Sequence, residues 1–230
     1  DEKKFFIKTK FGSDLVISNH QNSINRDQFV NYYPFLPYQL ELLREIIFYM
    51  IKNNVISRDI SKGERSIINC FQKVLINFKD YDINCIVPFY MFYDAISDFI
   101  DYNHQYIFLI LKDYTMLDEF DINILKVLFL IKYVPNMVGN MDTILSLIIS
   151  NISLESNIIN KIKNSLSKLI NEGFVSRDGD KFYFLSKNER DINYKIIRSN
   201  VNSHDINNLL CREIFDEVIG IVKFKYQGKG

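Results

Sequence analysis

Apolar residues recur at helical spacing through the middle of the chain. Leu40, Leu43, Ile47, Met50 and Ile51 predict a helix over about Tyr38–Asn53. It is led in by "YYPFLPYQ", where Pro34 and Pro37 fix an extended elbow. Ile67, Phe71, Val74, Leu75 and Phe78 form the next stripe. Ser61 and Glu64 stand at capping-box spacing ahead of it. "CIVPFYMFYDAISDFIDY" breaks at Pro88 and predicts a helix over roughly Met91–Tyr102. Residues 31–115 therefore read as a helical bundle.

The pattern then changes. "DEFDINILKVLFLIKYV", "MDTILSLIIS" and "SLESNIINKIKNSLSKLINEG" predict three successive helices, the last capped by Ser153 and stopped by Gly173. "FVSRDGDKFYFLS" alternates around Asp178-Gly179 and predicts a β-hairpin. Three helices followed by a hairpin is the winged-helix order, assigned to 116–198. A second capping box, Ser186 to Glu189, opens a helix through about Arg198. The final "NNLLCREIFDEVIGIVKFKYQ" reads as a helix running into a strand. Residues 199–230 are expected to be a truncated junction. Residues 1–30, with the extended candidates "FFIKTK" and "DLVIS", are expected to be a linker or the edge of an upstream domain. The start without Met and the abrupt "FKYQGKG" end suggest an excised fragment. The fold class expected is mainly α.

Composition narrows the function. Lys plus Arg and Asp plus Glu number 28 each, so no global field steers the chain to nucleic acid or membrane. Nucleic-acid binding would have to come from a local patch. Hydrophobic content of 47% supplies a core and excludes a disordered chain. The apolar runs fall short of the ~20 residues of a membrane span, and no signal core opens the chain. Cys70, Cys85 and Cys211 are too dispersed for a zinc site or a disulfide framework, which suits a reducing cytoplasm. His20, His104 and His204 have no second ligand at metal spacing. His104 follows Asp98 and Asp101, and reads as a base or as a helix C-terminal histidine facing the dipole. Neither G-x-x-x-x-G-K-[ST] nor G-x-G-x-x-G occurs, so no phosphate cradle, cofactor or metal is expected in this stretch.

Two places remain. Arg65 sits in the first turn of its helix, where a cation opposes the macrodipole unless an anion faces it. Gly63 allows close backbone approach, and an arginine can fork onto phosphate. Pairing of Arg65 with Asp59, Glu64 or another carboxylate on the bundle surface is the alternative. On the third helix of the later group, Ile158, Ile162, Leu166 and Leu169 face inward. Asn157, Asn160, Asn164, Lys168 and Asn171 are expected outward, with Lys161 and Lys163 on the flanks. Asn can read adenine and Lys can meet phosphate. Arg177 and Lys181 lie in the wing. Nine basic residues face six acidic ones between Ser153 and Arg198, a modest excess for a DNA binder. Protein contact therefore stays open beside DNA contact. The "YYPFLPYQ" aromatics could stack bases or simply pack the elbow.

Taken together, "YPFLPYQLELL", "SKGERSIINCFQ", "VPFYMFYDAISDFIDYNH" and "YFLSKNERDINYKI" resemble, in order and spacing, the middle region of BREX phage-defence P-loop ATPases of the BrxC/PglY type, over roughly residues 30–226. The family's Walker motifs would lie upstream. The resemblance implies an AAA+-related parent that binds ATP and Mg²⁺ in a prokaryotic cytoplasm. It implies a lid-like role for 31–115, and it makes Gly63 and Arg65 nucleotide-facing, with Arg65 as a sensor-2 arginine at the γ-phosphate. It also implies other BREX subunits as partners, with double-stranded DNA and a homo-oligomer as further candidates. The stretch itself would be non-catalytic. A winged-helix scaffold without DNA binding, or a transcriptional regulator, are the alternatives.

Overall fold

A computed structural model describes residues 26–58, 64–111, 114–135, 137–150, 157–198 and 203–214. The protein is mainly α, and its described strands form one two-stranded sheet. The chain divides into two compact units, Asp1–Arg190 and Asp191–Gly230. The extended candidates before residue 26, Ser61, Gly63, Ser153 and everything after residue 214 lie outside the described residues.

Among the described residues the first unit opens with α1 (Arg26–Tyr32), the elbow and α2 (Pro37–Lys52). Pro37 opens α2 where its missing N–H costs nothing. The Tyr33–Pro34 peptide is cis. Gln39, 1% exposed, closes the elbow: its Oε1 accepts from Leu36 N at 3.1 Å and its Nε2 donates to Val87 O at 2.7 Å. Pro34 O in turn accepts from Val87 N at 3.0 Å. On the opposite side of the same strap, Ile86 N donates to Ser150 O at 2.7 Å and Phe89 N to Leu147 O at 2.8 Å. A buried, apolar segment thus finds its backbone partners on two different elements.

The next helix, α3 (Glu64–Phe78), buries Cys70, Val74 and Phe78 and half-buries Ile67 and Phe71. Leu75, expected inside, is 42% exposed. It lies one residue past Val74, around the helix from the i, i+4, i+8 line that Cys70 opens. The helix expected over Met91–Tyr102 is broken. α4 spans Met91–Ile96, Ser97–Phe99 form a 3-10 turn, and Ile100 is extended. Ile100 bridges Ile56, while Ser57 N donates to Phe99 O and Asp101 N to Val55 O, each at 2.9 Å. Asp101 then caps α5 (Tyr102–Ile110) by accepting from Asn103 N at 2.9 Å. Apolar periodicity runs through this break, so only pairing with the 55–57 loop could reveal it.

The second group follows the expected order. In α6 (Glu119–Ile131) the box is reciprocal: Asp118 Oδ1 accepts from Asp121 N at 2.9 Å, and Asp121 Oδ2 from Asp118 N at 3.0 Å. Asn140 caps α7 (Met141–Ile148) through Thr143 N at 2.8 Å. Next comes α8 (Ile158–Asn171), which buries Ile162, Ser165, Leu166 and Leu169. It ends at Gly173, whose φ of 69° is the left-handed stop expected there. β1 (Val175–Asp178) pairs antiparallel with β2 (Lys181–Phe184), with Val175 opposite Phe184 and Asp178 opposite Lys181. The turn is Gly179-Asp180, with positive φ at Gly179 only, as in hairpin turns that require Gly first.

Helix α6 packs on α7, α8 and β2, and α8 packs on β1. The apolar core is continuous from Phe35 to Phe184, so both sequence regions share it. Phe108 of α5 stacks on Phe184 of β2 at 5.8 Å, and Phe129 of α6 meets both rings edge-on. Each such pair adds ~0.5–1.5 kcal/mol beyond burial. α9 (Lys187–Arg198) opens as expected at Ser186. Glu189 reaches back to Ser186 N at 2.7 Å, while the Ser186 hydroxyl donates to the same carboxylate at 2.8 Å. In the second unit α10 (Ser203–Arg212) is the helical part of the stretch expected to run on into a strand.

Candidate functional site

The outer face of α8 and the hairpin gather most of the candidate residues. Asn160, Lys163, Asn164, Ser167 and Asn171 are all exposed and recur at i, i+3, i+4, i+7 and i+11, one stripe of the helix. Opposite them lie the buried Ile162, Leu166 and Leu169. The stripe is therefore a consequence of the core: burying one side of a 14-residue amphipathic helix leaves the polar side free. Asn160 Nδ2 donates to Asn157 Oδ1 at 3.2 Å, which orients its amide. Helix α8 contains no acidic residue.

The three lysines of α8 do not act together. Lys163 stands in the stripe. Lys161 and Lys168 turn to the flank that meets the start of α6. Lys161 Nζ lies 4.3 Å from the Phe120 ring centroid, a close cation–π contact. Lys168 Nζ meets Asp121 Oδ2 at 3.1 Å and Asp118 Oδ2 at 3.3 Å. The Asp121 side chain is 1% exposed, so Lys168 offsets a carboxylate that water cannot reach. These bonds, to Asp121 first and then Asp118, raise the Lys168 pKa. Partial burial would raise that of Asp118, but the Asp121 amide and Lys168 outweigh it and hold the carboxyl below its ordinary value.

In the hairpin, Arg177 stands opposite Phe182, on the inward side of the ribbon. Its guanidinium covers that ring at 5.8 Å, and its Nε donates to Gly179 O at 2.7 Å. Lys181 points to the outward side, directly across from Asp178. Asp178 and Asp180 match Arg177 and Lys181 in number, so the hairpin carries no net charge.

The other candidates fall elsewhere. Arg65 lies at the second position of α3 by its backbone; its side chain, with Gly63 and Asp59, lies outside the described residues. His104 sits in the first turn of α5, not at a helix C-terminus, because Asp101 restarts the helix there. Its Nδ1 faces Tyr133 Oη at 3.5 Å. Burial lowers its pKa, and Lys132 adds to that effect against Asp101. The His20 and His204 side chains lie outside the described residues. Among the described residues no group of three or more His, Cys, Asp or Glu could hold a metal ion. Cys70, Cys85 and Cys211 are free. No described helix is long and apolar enough to cross a membrane. Of the "YYPFLPYQ" aromatics, Phe35 is buried and packs edge-on against Phe71 at 4.8 Å, whereas Tyr32 and Tyr33 are exposed.

Residues that sequence reasoning passed over position this face. Gly139 O accepts from Phe182 N at 2.9 Å, which brings the 137–140 segment against β2. A Cβ at Gly139 would lie 2.5 Å from Phe182 O and 2.6 Å from Leu128 Cδ2. Lys132 donates to Phe184 O at 3.1 Å and pairs with Glu189, tying α6 to both β2 and α9. Neither has a sequence signal, since each acts through a distant backbone atom. No protein-family model matches the chain, and no solved structure matches it.

Proposed function

We propose that the chain is a non-catalytic relay segment of a BREX-type anti-phage ATPase. In this reading 31–115 is the AAA+ lid-like block and 116–198 a winged helix, with α8 as its contact helix. The parent binds ATP and Mg²⁺ through motifs outside this stretch, and Arg65, beside Gly63, senses the γ-phosphate. Contact with other defence subunits, or with double-stranded DNA, occurs through the α8 stripe. The observation that carries the reading is that stripe, Asn160 to Asn171, set on a three-helix-plus-hairpin group that shares one core with the preceding helices. The Ile86–Phe89 strap gives the two regions common backbone bonds, so a displacement of one is passed to the other.

Protein contact is the form the electrostatics favour. Lys168 and Lys161 are engaged with α6, and the hairpin is neutral, which leaves Lys163 as the cation of the stripe. DNA affinity rests on several phosphate contacts at once. The amides of Asn160, Asn164 and Asn171 keep adenine readout as the second reading. A gel shift against duplex DNA separates them. Protein contact predicts no shift at low salt. A shift that weakens steeply with salt, and that Lys163→Glu abolishes, establishes DNA contact instead. The nucleotide role is tested in the full-length protein: Arg65→Ala lowers ATP turnover at least tenfold, and unchanged turnover removes the sensor assignment.

A further inference from the structure

We propose that the first turn of α9 is a salt-sensitive latch, closed by charge on the C-terminal end of α8 and able to open while the core stays folded. Five contacts among the described residues help to close it. Lys187 Nζ lies 4.4 Å from the Tyr106 ring centroid on α5. Glu189 pairs with Lys132 at the end of α6. Arg190 Nε donates to Gly173 O at 3.0 Å and its Nη2 to Glu172 O at 3.4 Å. The Arg190 guanidinium carbon sits 3.8 Å from the Phe174 ring centroid. Arg190 is thus the cation at the negative end of the α8 dipole, supplied by another helix.

What the latch lacks is apolar burial. From Lys187 to Arg190 not one residue is buried. Helix α8, by contrast, buries three apolar side chains. The hydrophobic effect is indifferent to salt screening, whereas partly exposed ion pairs are weakened by it. The Glu189 side chain is 47% exposed, so the Lys132 pair is open to screening. Opening frees the root of α9 and uncovers Phe174 and the last carbonyls of α8, one turn from Asn171. The inference rests on these contacts and not on the identity of the α8 partner.

Amide hydrogen exchange on the whole chain tests it. Raising NaCl from about 0.01 M to about 1 M shortens the Debye length from ~30 Å to ~3 Å. The amides of 190–198 then exchange at least about threefold faster, while those of 158–171 keep their rates. Arg190→Ala gives the fast rates already at low salt; Arg190→Lys, which keeps the charge but loses the fork, lies between. If Arg190→Ala disrupts the fold, the salt series on the native chain decides alone. Exchange in α9 that ignores salt overturns the latch, and so does loss of protection in α8 and α9 together.

Discussion

Ser165 sits on the inner side of α8 at 2% exposure, and its hydroxyl has no hydrogen-bond partner among the described residues. Burying a hydroxyl without a partner costs ~1–3 kcal/mol, and Ala is the better helix former. Ser165→Ala therefore stabilises the chain by about 1 kcal/mol, read as a rise in the urea midpoint with unchanged slope. Gln39 is the opposite case, a buried amide with both ends used. Gln39→Leu strands Leu36 N and Val87 O in the core and costs about 2–4 kcal/mol in the same measurement. Sequence patterning could not separate these two polar residues. Both stand on the buried stripe of a helix, and only the position of a distant carbonyl distinguishes them.

At the scale of elements, two glycines fail for different reasons. Gly179 has φ 61° with open space around it, so Gly179→Ala meets only the positive-φ penalty of ~1–2 kcal/mol. Gly139 has no such backbone requirement, but an added methyl runs into Phe182 O and Leu128. Gly139→Ala must part β2 from α6 and costs about 1–3 kcal/mol or more. Thermal unfolding of the two variants therefore ranks Gly139→Ala as the more damaging. The hairpin turn was legible to within one residue, read at Asp178-Gly179 and found at Gly179-Asp180, because its chemistry is local. The close approach at Gly139 was not, because its partner is more than forty residues away. The same distinction explains Leu75, Ile100 and His104: periodicity says which residues are apolar, but the neighbour decides which turn of the helix it covers.

For the whole molecule, pH works from both sides. Asp118 and Glu189 have folded pKa values below their ordinary 3.8 and 4.5. For Glu189, partial burial acts upward, but Lys132 and the Ser186 amide and hydroxyl prevail. Such carboxylates contribute stability above their unfolded pKa and lose it as pH falls through the folded one. His104, lowered from 6.5, acts earlier: the unfolded chain takes up its proton first, so stability begins to fall as pH drops through 6.5. His104→Gln removes that first part of the acid slope in a pH series of urea midpoints and leaves the later part in place. On the alkaline side, burial pushes Tyr133 up from 10.0 to about 12, and burial raises Tyr90 and Tyr93 as well. The unfolded chain releases these protons first, so stability declines as pH rises above 10.

The mainly helical class, the order of three helices and a hairpin, the stop at Gly173 and the polar face of α8 could all be read from the order of residues alone. All of these follow from local backbone chemistry and from the period of apolar positions, which near neighbours in the chain control. Tertiary structure decided how those elements are joined. It broke the 91–102 helix on the 55–57 loop, drew the 86–89 strap between two regions, and turned Lys161 and Lys168 away from Lys163 toward α6. Buried backbone groups and carboxylates must find partners wherever the chain brings them, and that choice is fixed only when distant segments meet.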